Sequence, residues 1–189
     1  MSAPRVLALV GLRCSGKSSL ARRWSERTGA PFADLDDLLL ELAGEQAGSA
    51  GDLLASVGEA EFRRRESSAL EAYLANDLPA VLATGGGAIL SAANRAALRE
   101  RCLVVWLDAP PEVLAERLRA DDKRRPSLTG EDPALELAVL AKQREPLYRE
   151  VAHLRLDASL PLDELTDVLV HEVRRLHDGG LVLRHDAPE

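Results

Sequence analysis

Aromatic side chains and lysines are both scarce in this chain of 189 residues. Aromatic residues make up 3% of it, so Leu, Val and Ala must supply the core, and the only lysines are Lys17, Lys123 and Lys142. The formal net charge of −7 argues against non-specific binding to nucleic acids or membrane surfaces. Any anion that the protein binds must therefore be held by locally placed basic side chains, most of which are arginines.

Cysteines and long apolar runs are also few, and this restricts the class of protein further. Cys14 and Cys102 have no CxxC spacing, which favours reduced thiols. No apolar run approaches the length of a membrane span or has the form of a signal peptide. We therefore expect a cytoplasmic protein in which residues 1–177 form one domain and residues 178–189 a tail.

Residues 11–18 read GLRCSGKS and match the G-x-x-x-x-G-K-S pattern of a phosphate-binding loop. An apolar run precedes this loop and a helix-prone stretch follows it, which is the context that makes the motif specific. The backbone amides of such a loop and the positive end of the helix cradle a polyphosphate, while a lysine and a hydroxyl reach the outer phosphates and Mg²⁺. The pattern predicts a nucleoside triphosphate site formed by Gly11, Cys14, Ser15, Gly16, Lys17, Ser18 and Ser19.

Short apolar segments alternate with helical patterns, which predicts an α/β fold with a five-stranded parallel sheet flanked by helices. The predicted strands are Val6–Val10, Pro31–Ala33, Ala80–Ala83, Cys102–Leu107 and His153–Leu156. The predicted helices are Ser18–Arg27, Asp37–Leu42, Asp52–Val57, Glu59–Ala75, Ala92–Glu100, Pro111–Arg119, Pro133–Tyr148 and Leu162–Leu176. The charged segment 120–131 lacks apolar periodicity, which is typical of a mobile lid or a disordered loop.

Aspartates follow or end two of the predicted strands. Asp34 and Asp36 form a D-L-D sequence, and alternate residues of an extended segment would point both carboxylates into the cleft beyond the sheet. Phosphoryl transfer needs one anionic group near Mg²⁺ and another that orients the attacking hydroxyl. Alternatively, Asp36 or Asp37 caps the next helix. Asp108 resembles the carboxylate of a Walker B strand, but the helix that follows favours a capping role.

Three glycines, Gly85, Gly86 and Gly87, follow the third predicted strand directly. Glycine allows backbone amides to approach bound oxygen atoms, although the same triplet could form only a tight turn. At the carboxyl end of a parallel strand, the triplet favours a role in ligand binding.

Several arginines are candidates for anion binding, because the guanidinium binds carboxylate and phosphate oxygens through paired hydrogen bonds. At most one or two side chains of the run 63–65 can point into a site, and Arg64 and Arg65 fit a solvated helix face. Arg125, in the lid, suits either a transferring phosphate or a solvated run of charge. Arg144 is either a site residue or an ordinary surface residue.

Together these segments resemble the shikimate kinase family. The matching elements follow the family's order and span roughly residues 5–176: the loop at 11–18, DLD at 34–36, GEAEFRRRE at 58–66, GGG at 85–87, RP at 125–126 and REPLY at 144–148. The resemblance implies a three-layer P-loop kinase fold and ATP-dependent phosphorylation of the 3-hydroxyl of shikimate, a step of aromatic amino-acid biosynthesis.

The resemblance also implies roles for individual residues. Asp36 would orient the nucleophile, Arg63 and Arg144 would bind the substrate carboxylate, and Arg125 would close onto the phosphate. The implied substrate-binding residues, within and beyond the region 34–66, are Asp36, Arg63, Gly85, Gly86, Gly87 and Arg144. The implied catalytic residues are Lys17, Asp36 and Arg125, and the implied metal-binding residues are Ser18 and Asp34. Arg117 and Arg125 join the implied ATP site.

Two alternatives stay open at the level of the sequence. One is a kinase of the same fold that acts on another small hydroxylated acid or on a nucleotide. The other is a non-catalytic module of the same family that binds a metabolite. In each case we expect a monomer whose partner is a small molecule, with no nucleic acid or membrane partner.

Overall fold

The computed structural model describes residues 6–44, 48–76, 80–120 and 132–179. Residues 121–131 of the predicted lid at 120–131, with Arg125, lie outside these residues, and so do residues 180–189 of the predicted tail.

Five parallel strands form the sheet and confirm the predicted fold class. The strands are β1 (Val6–Val10), β2 (Phe32–Asp34), β3 (Ala80–Ala83), β4 (Cys102–Asp108) and β5 (Leu154–Asp157), in the spatial order β2-β3-β1-β4-β5. All five residues of β1 are buried, which explains its unbroken apolar sequence, since a parallel strand is covered on both faces. β2 begins one residue later than predicted, and the carbonyl of Pro31 still accepts a hydrogen bond from the amide of Val81.

Eight helices and one short 3₁₀ segment accompany these strands within the described residues. The helices are α1 (Lys17–Thr28), α2 (Leu35–Ala43), α3 (Ala50–Val57), α4 (Glu59–Ala75), α5 (Ala92–Arg101), α6 (Pro111–Ala120), α7 (Pro133–Val151) and α8 (Leu162–Asp178), and the 3₁₀ segment is Ala88–Leu90. α1 packs against α8, whereas α7 packs against α5 and α6. Of the described helices, none has both the length and the apolar character of a membrane span.

Helix ends follow local capping chemistry. α2 starts two residues before its predicted first residue because the carboxylate of Asp34 accepts a hydrogen bond from the amide of Asp36. Asp132 caps α7 in the same way, and Pro133 occupies the first turn, where its missing N–H costs nothing.

The core consists mainly of Leu, Val and Ala, as the scarcity of aromatic residues predicts. Two of the few aromatic rings, those of Trp106 and Tyr148, stack with centroids 5.6 Å apart between β4 and α7. Within the sheet, β3 and β2 lie on one side of β1, and β4 and β5 lie on its other side, so the strand order reverses at β1. Ligand sites of open α/β sheets form at the carboxyl ends of the strands beside such a reversal.

Candidate active site

The loop after β1 has the backbone of a phosphate cradle. Gly11 and Gly16 adopt positive φ angles of 150° and 88°. A Cβ atom on Gly11 would lie 2.5 Å from the carbonyl oxygen of Leu107, so this position requires glycine. Cys14, with φ of 62°, is the one described residue other than glycine in the positive-φ region. Gly16 precedes α1 and has no side chain that could bond to the amides of the first turn. These amides therefore remain suited to binding an anion.

Lys17 is held inside this loop. Its side chain is buried, and Nζ donates hydrogen bonds to the carbonyl oxygens of Gly11 at 3.0 Å and Leu12 at 2.7 Å. Nζ also lies 3.3 Å from Oγ of Ser15. The ammonium group is thus positioned beside the amides that would contact a polyphosphate.

Ser18 and Asp34 form an oxygen pair at the start of α1 and the end of β2. Oγ of Ser18 donates a hydrogen bond of 2.5 Å to Oδ2 of Asp34. Mg²⁺ is usually held by one or two protein oxygens together with water and phosphate oxygens. A hydroxyl and a carboxylate beside a phosphate cradle therefore fit this ion.

The extended D-L-D geometry predicted for Asp34 and Asp36 is wrong. α2 begins at Leu35, so Asp34 ends a strand and Asp36 lies in the first helical turn. The capping residue is Asp34, rather than Asp36 or Asp37 as the alternative proposed. Both Asp34 and Asp36 nevertheless line the same cleft, because the helix turns directly after the sheet edge.

The glycine triplet makes room for charged side chains. A Cβ atom on Gly85 would lie 2.9 Å from Oδ1 of Asp36 and 2.9 Å from Oε1 of Glu66. On Gly87, a Cβ atom would lie 2.5 Å from the terminal nitrogens of Arg63. The absence of side chains after β3 thus allows two carboxylates and a guanidinium to approach the backbone.

Glu66 pairs with Arg63 on α4. Nη1 of Arg63 donates to Oε2 of Glu66 at 2.8 Å, and Glu66 is only 1% exposed. Burial raises the pKa of Glu66 and the attraction of Arg63 opposes this, while the nearby carboxylate of Asp36 adds to the rise. The guanidinium of Arg63 is thereby fixed in orientation. In the sequence, the spacing of three residues between Arg63 and Glu66 was the available signal for this pair.

Arg144 and Tyr148 reach the glycine triplet from α7. Nη1 of Arg144 and the hydroxyl of Tyr148 each donate a hydrogen bond of 2.9 Å to the carbonyl oxygen of Gly86. Arg144 is half-buried, so it is not an ordinary surface residue. Burial raises the pKa of Tyr148 to about 12. Tyr148 was not predicted as a site residue, although the REPLY segment at 144–148 includes it.

One cleft of about 660 Å³, a volume typical of small-molecule sites, joins the phosphate loop to Asp36 and the start of the glycine triplet. Arg63, Gly87 and Arg144 are not among its lining residues; Arg63 lies against Gly87, and Arg144 bonds to the carbonyl oxygen of Gly86. Its lining includes Arg13, Cys14, Ser15, Gly16, Lys17, Ser18, Ser19, Asp34, Asp36, Gly85, Gly86 and Arg117, together with Ala158, Leu160, Leu162 and Leu165 at an apolar end that sequence analysis did not identify. Arg117 also lines this cleft.

Other candidates lie outside the cleft. α6 begins at Pro111, three residues after Asp108, so the expected capping role of Asp108 is wrong. Its carboxylate instead accepts a hydrogen bond of 3.0 Å from Nε of Arg155 on β5. Arg64 and Arg65 both bond to Glu61 on the outer side of α4.

Known proteins of one family match this chain over most of its length. The family model described as shikimate kinase matches residues 13–174. A shikimate kinase from Symbiobacterium thermophilum is 42% identical over 175 residues, which cover 92% of this chain and 97% of that protein. The structure of a shikimate kinase from Acinetobacter baumannii in complex with shikimate has a TM-score of 0.82 at 34% identity, covering 95% of this chain and 96% of that one. A gluconokinase structure from Sinorhizobium meliloti, with a TM-score of 0.68 at 24% identity over 95% of this chain and 97% of that one, shares the fold.

Proposed function

This chain belongs to the shikimate kinase family, and we propose that its cleft transfers the terminal phosphoryl group of ATP to the 3-hydroxyl of shikimate. The carrying observation is a cleft that joins a phosphate cradle to Asp36 and the glycine triplet, against which Arg63 and Arg144 lie. One half suits a triphosphate, and the other suits a small hydroxylated carboxylate.

The acceptor half matches the chemistry of shikimate group by group. The substrate carboxylate would be bound by the guanidinium groups of Arg63 and Arg144 through charge-assisted hydrogen bonds. Glu66 supports this role, because its ion pair holds Arg63 against the glycine triplet. The hydroxyls would donate to the carboxylate of Asp36, which lies beside Gly85.

Asp36 would orient the 3-hydroxyl and accept its proton as the oxygen attacks the terminal phosphorus. The bond from that phosphorus to the bridging oxygen of ATP breaks, and ADP leaves with the bonding electron pair. Transition states of this type have little need for covalent catalysis, so accurate placement by the two halves of the cleft would provide most of the rate.

The donor half would bind ATP through the amides of the phosphate loop. Lys17 would exchange some of its present carbonyl contacts for phosphate oxygens. Ser18 and Asp34 would hold Mg²⁺, which when bound neutralises the charge on the phosphate oxygens. Arg117 and the apolar residues near Leu160 would contact the base. Arg125 stays a prediction as the lid cation.

We also infer that the protein acts as a cytoplasmic monomer with one domain over residues 1–177. No disulfide joins Cys14 and Cys102, in agreement with a reducing compartment. Light scattering at working concentration would give the mass of one chain, and the mass of a dimer would contradict this inference.

The test of the function is an assay that couples ADP release to NADH oxidation, with shikimate, gluconate and nucleoside monophosphates as acceptors. We expect ADP release that depends on shikimate and on Mg²⁺. Release with gluconate or a monophosphate alone would favour the same-fold kinase alternative. Binding of shikimate without ADP release would favour the non-catalytic module, although Lys17, Asp34 and Asp36 are all present.

A further inference from the structure

A buried ion pair joins the phosphate loop to α7. Arg13 is the third residue of the loop, and its Nη2 donates to Oε1 of Glu136, 123 positions further along the chain. The side chains are only 14% and 2% exposed, respectively. Glu136 lies in the first turn of α7, where the helix dipole also favours a carboxylate.

The same loop and helix meet again at the glycine triplet. A Cβ atom on Gly86 would lie 3.2 Å from the amide nitrogen of Arg13, so the loop and the triplet are in direct contact. The carbonyl oxygen of Gly86 accepts hydrogen bonds from Arg144 and Tyr148, which lie about two and three turns beyond Glu136 on α7. α7 therefore contacts the phosphate loop directly near its first residue and, near its last residue, through Gly86.

Such an ion pair has little value for stability alone. Two desolvated charges often contribute no more than a well-packed apolar pair, although removing one partner leaves a costly buried charge. What the pair does provide is a defined geometry, because its charge-assisted hydrogen bond fixes both side chains. The geometry that it fixes is the position of α7, which carries Arg144, relative to the loop that cradles the phosphates.

We propose that Arg13 and Glu136 are positioning residues for phosphoryl transfer, which hold α7 and its substrate-binding Arg144 in register with the phosphate loop. This inference rests on the proposed function. A misplacement of about 1 Å between reacting groups can cost up to about 100-fold in rate. Loss of the ion pair therefore lowers kcat, whereas the contacts that each substrate makes by itself remain.

The decisive variant is the double substitution Arg13→Met/Glu136→Leu. It replaces the ion pair by two apolar side chains and leaves no buried charge, so folding is retained. We expect kcat to fall at least tenfold, with KM for ATP and for shikimate within threefold of the wild-type values. The single variant Arg13→Lys keeps the positive charge, and we expect it to retain most of the wild-type kcat. Glu150→Gln is the matched control, because Glu150 pairs with Arg95 at 2.9 Å near the other end of α7.

Hydrogen exchange tests the same connection without the acceptor. We expect ADP to increase protection of the amides of residues 133–151 in the wild type and in Glu150→Gln, but not in the double variant. This result stands even if shikimate is not the acceptor, so failure of the proposed function would be recognised separately. Unchanged kcat together with unchanged ADP-dependent protection in the double variant would overturn the proposal. A raised KM for ATP at unchanged kcat would also overturn it, and would make Arg13 a phosphate contact.

Discussion

Replacing Arg63 by methionine separates its contribution to folding from its contribution to substrate binding. The substitution keeps an unbranched side chain against Phe62 but removes the guanidinium that pairs with Glu66. Because Glu66 is 1% exposed, its carboxylate would remain buried without its partner. We expect the free energy of unfolding at neutral pH to fall by about 3–5 kcal/mol, and KM for shikimate to rise.

The pH dependence of this loss follows from the pKa of Glu66, which burial already raises above its ordinary value of 4.5. Without Arg63, the native-state pKa of Glu66 rises further, so the folded state takes up a proton before the unfolded state does. The stability deficit of the variant therefore shrinks as the pH falls toward 4.5.

Urea denaturation over a pH series provides the measurement. Arg64→Met is the matched control, because Arg64 is the next residue of the same helix and its partner Glu61 lies on the outer side. This control should leave the unfolding midpoint and KM unchanged. The double variant Arg63→Met/Glu66→Gln should recover part of the stability but not the affinity for shikimate. A loss for Arg63→Met no larger than that of the control would refute the reasoning.

Three further predictions concern catalysis, packing and pH. Asp36→Asn should lower kcat by about 10²–10⁴-fold with an unchanged Kd for ATP in calorimetry. A weakened Kd would contradict the acceptor role. Gly85→Ala should lower kcat/KM at least tenfold, because its Cβ atom would lie 2.9 Å from the carboxylates of Asp36 and Glu66. Wild-type kinetics of this variant would disprove the crowding. Burial, with a contribution from a nearby arginine, lowers the pKa of His153 below 6.5. Thermal stability should therefore decline as the pH falls through 6.5, and His153→Gln should remove that decline.

The sequence was informative where local pattern determines structure. Buried parallel strands are nearly continuous in apolar residues, so β1, β3 and β4 could be located within one residue. The phosphate loop could be placed because its glycines, lysine and serine have fixed positions between a strand and a helix. The start of α2 was missed, since the sequence analysis considered Asp36 or Asp37 as the capping residue, whereas Asp34 caps the helix in the structure.

Contacts between distant segments could not be predicted in this way. The bond of Tyr148 to Gly86 and the pair of Arg13 with Glu136 join residues 62 and 123 positions apart, and no local pattern signals such pairs. The role of the glycine triplet was predicted from backbone approach to a ligand. In the structure, the same triplet also makes room for the side chains of Asp36, Glu66 and Arg63, which depends on the packing of α2 and α4.

The central claim is that this cleft phosphorylates the 3-hydroxyl of shikimate. The most direct measurement is a ¹H–³¹P correlation spectrum of the product formed from ATP, Mg²⁺ and shikimate by this protein. Besides the signals of ADP, the account predicts one new phosphorus signal that is coupled to the proton on the carbon bearing the 3-hydroxyl and that forms at a rate that Asp36→Asn strongly reduces. Phosphorus coupled to another ring proton, or no product despite binding of both substrates, would contradict it.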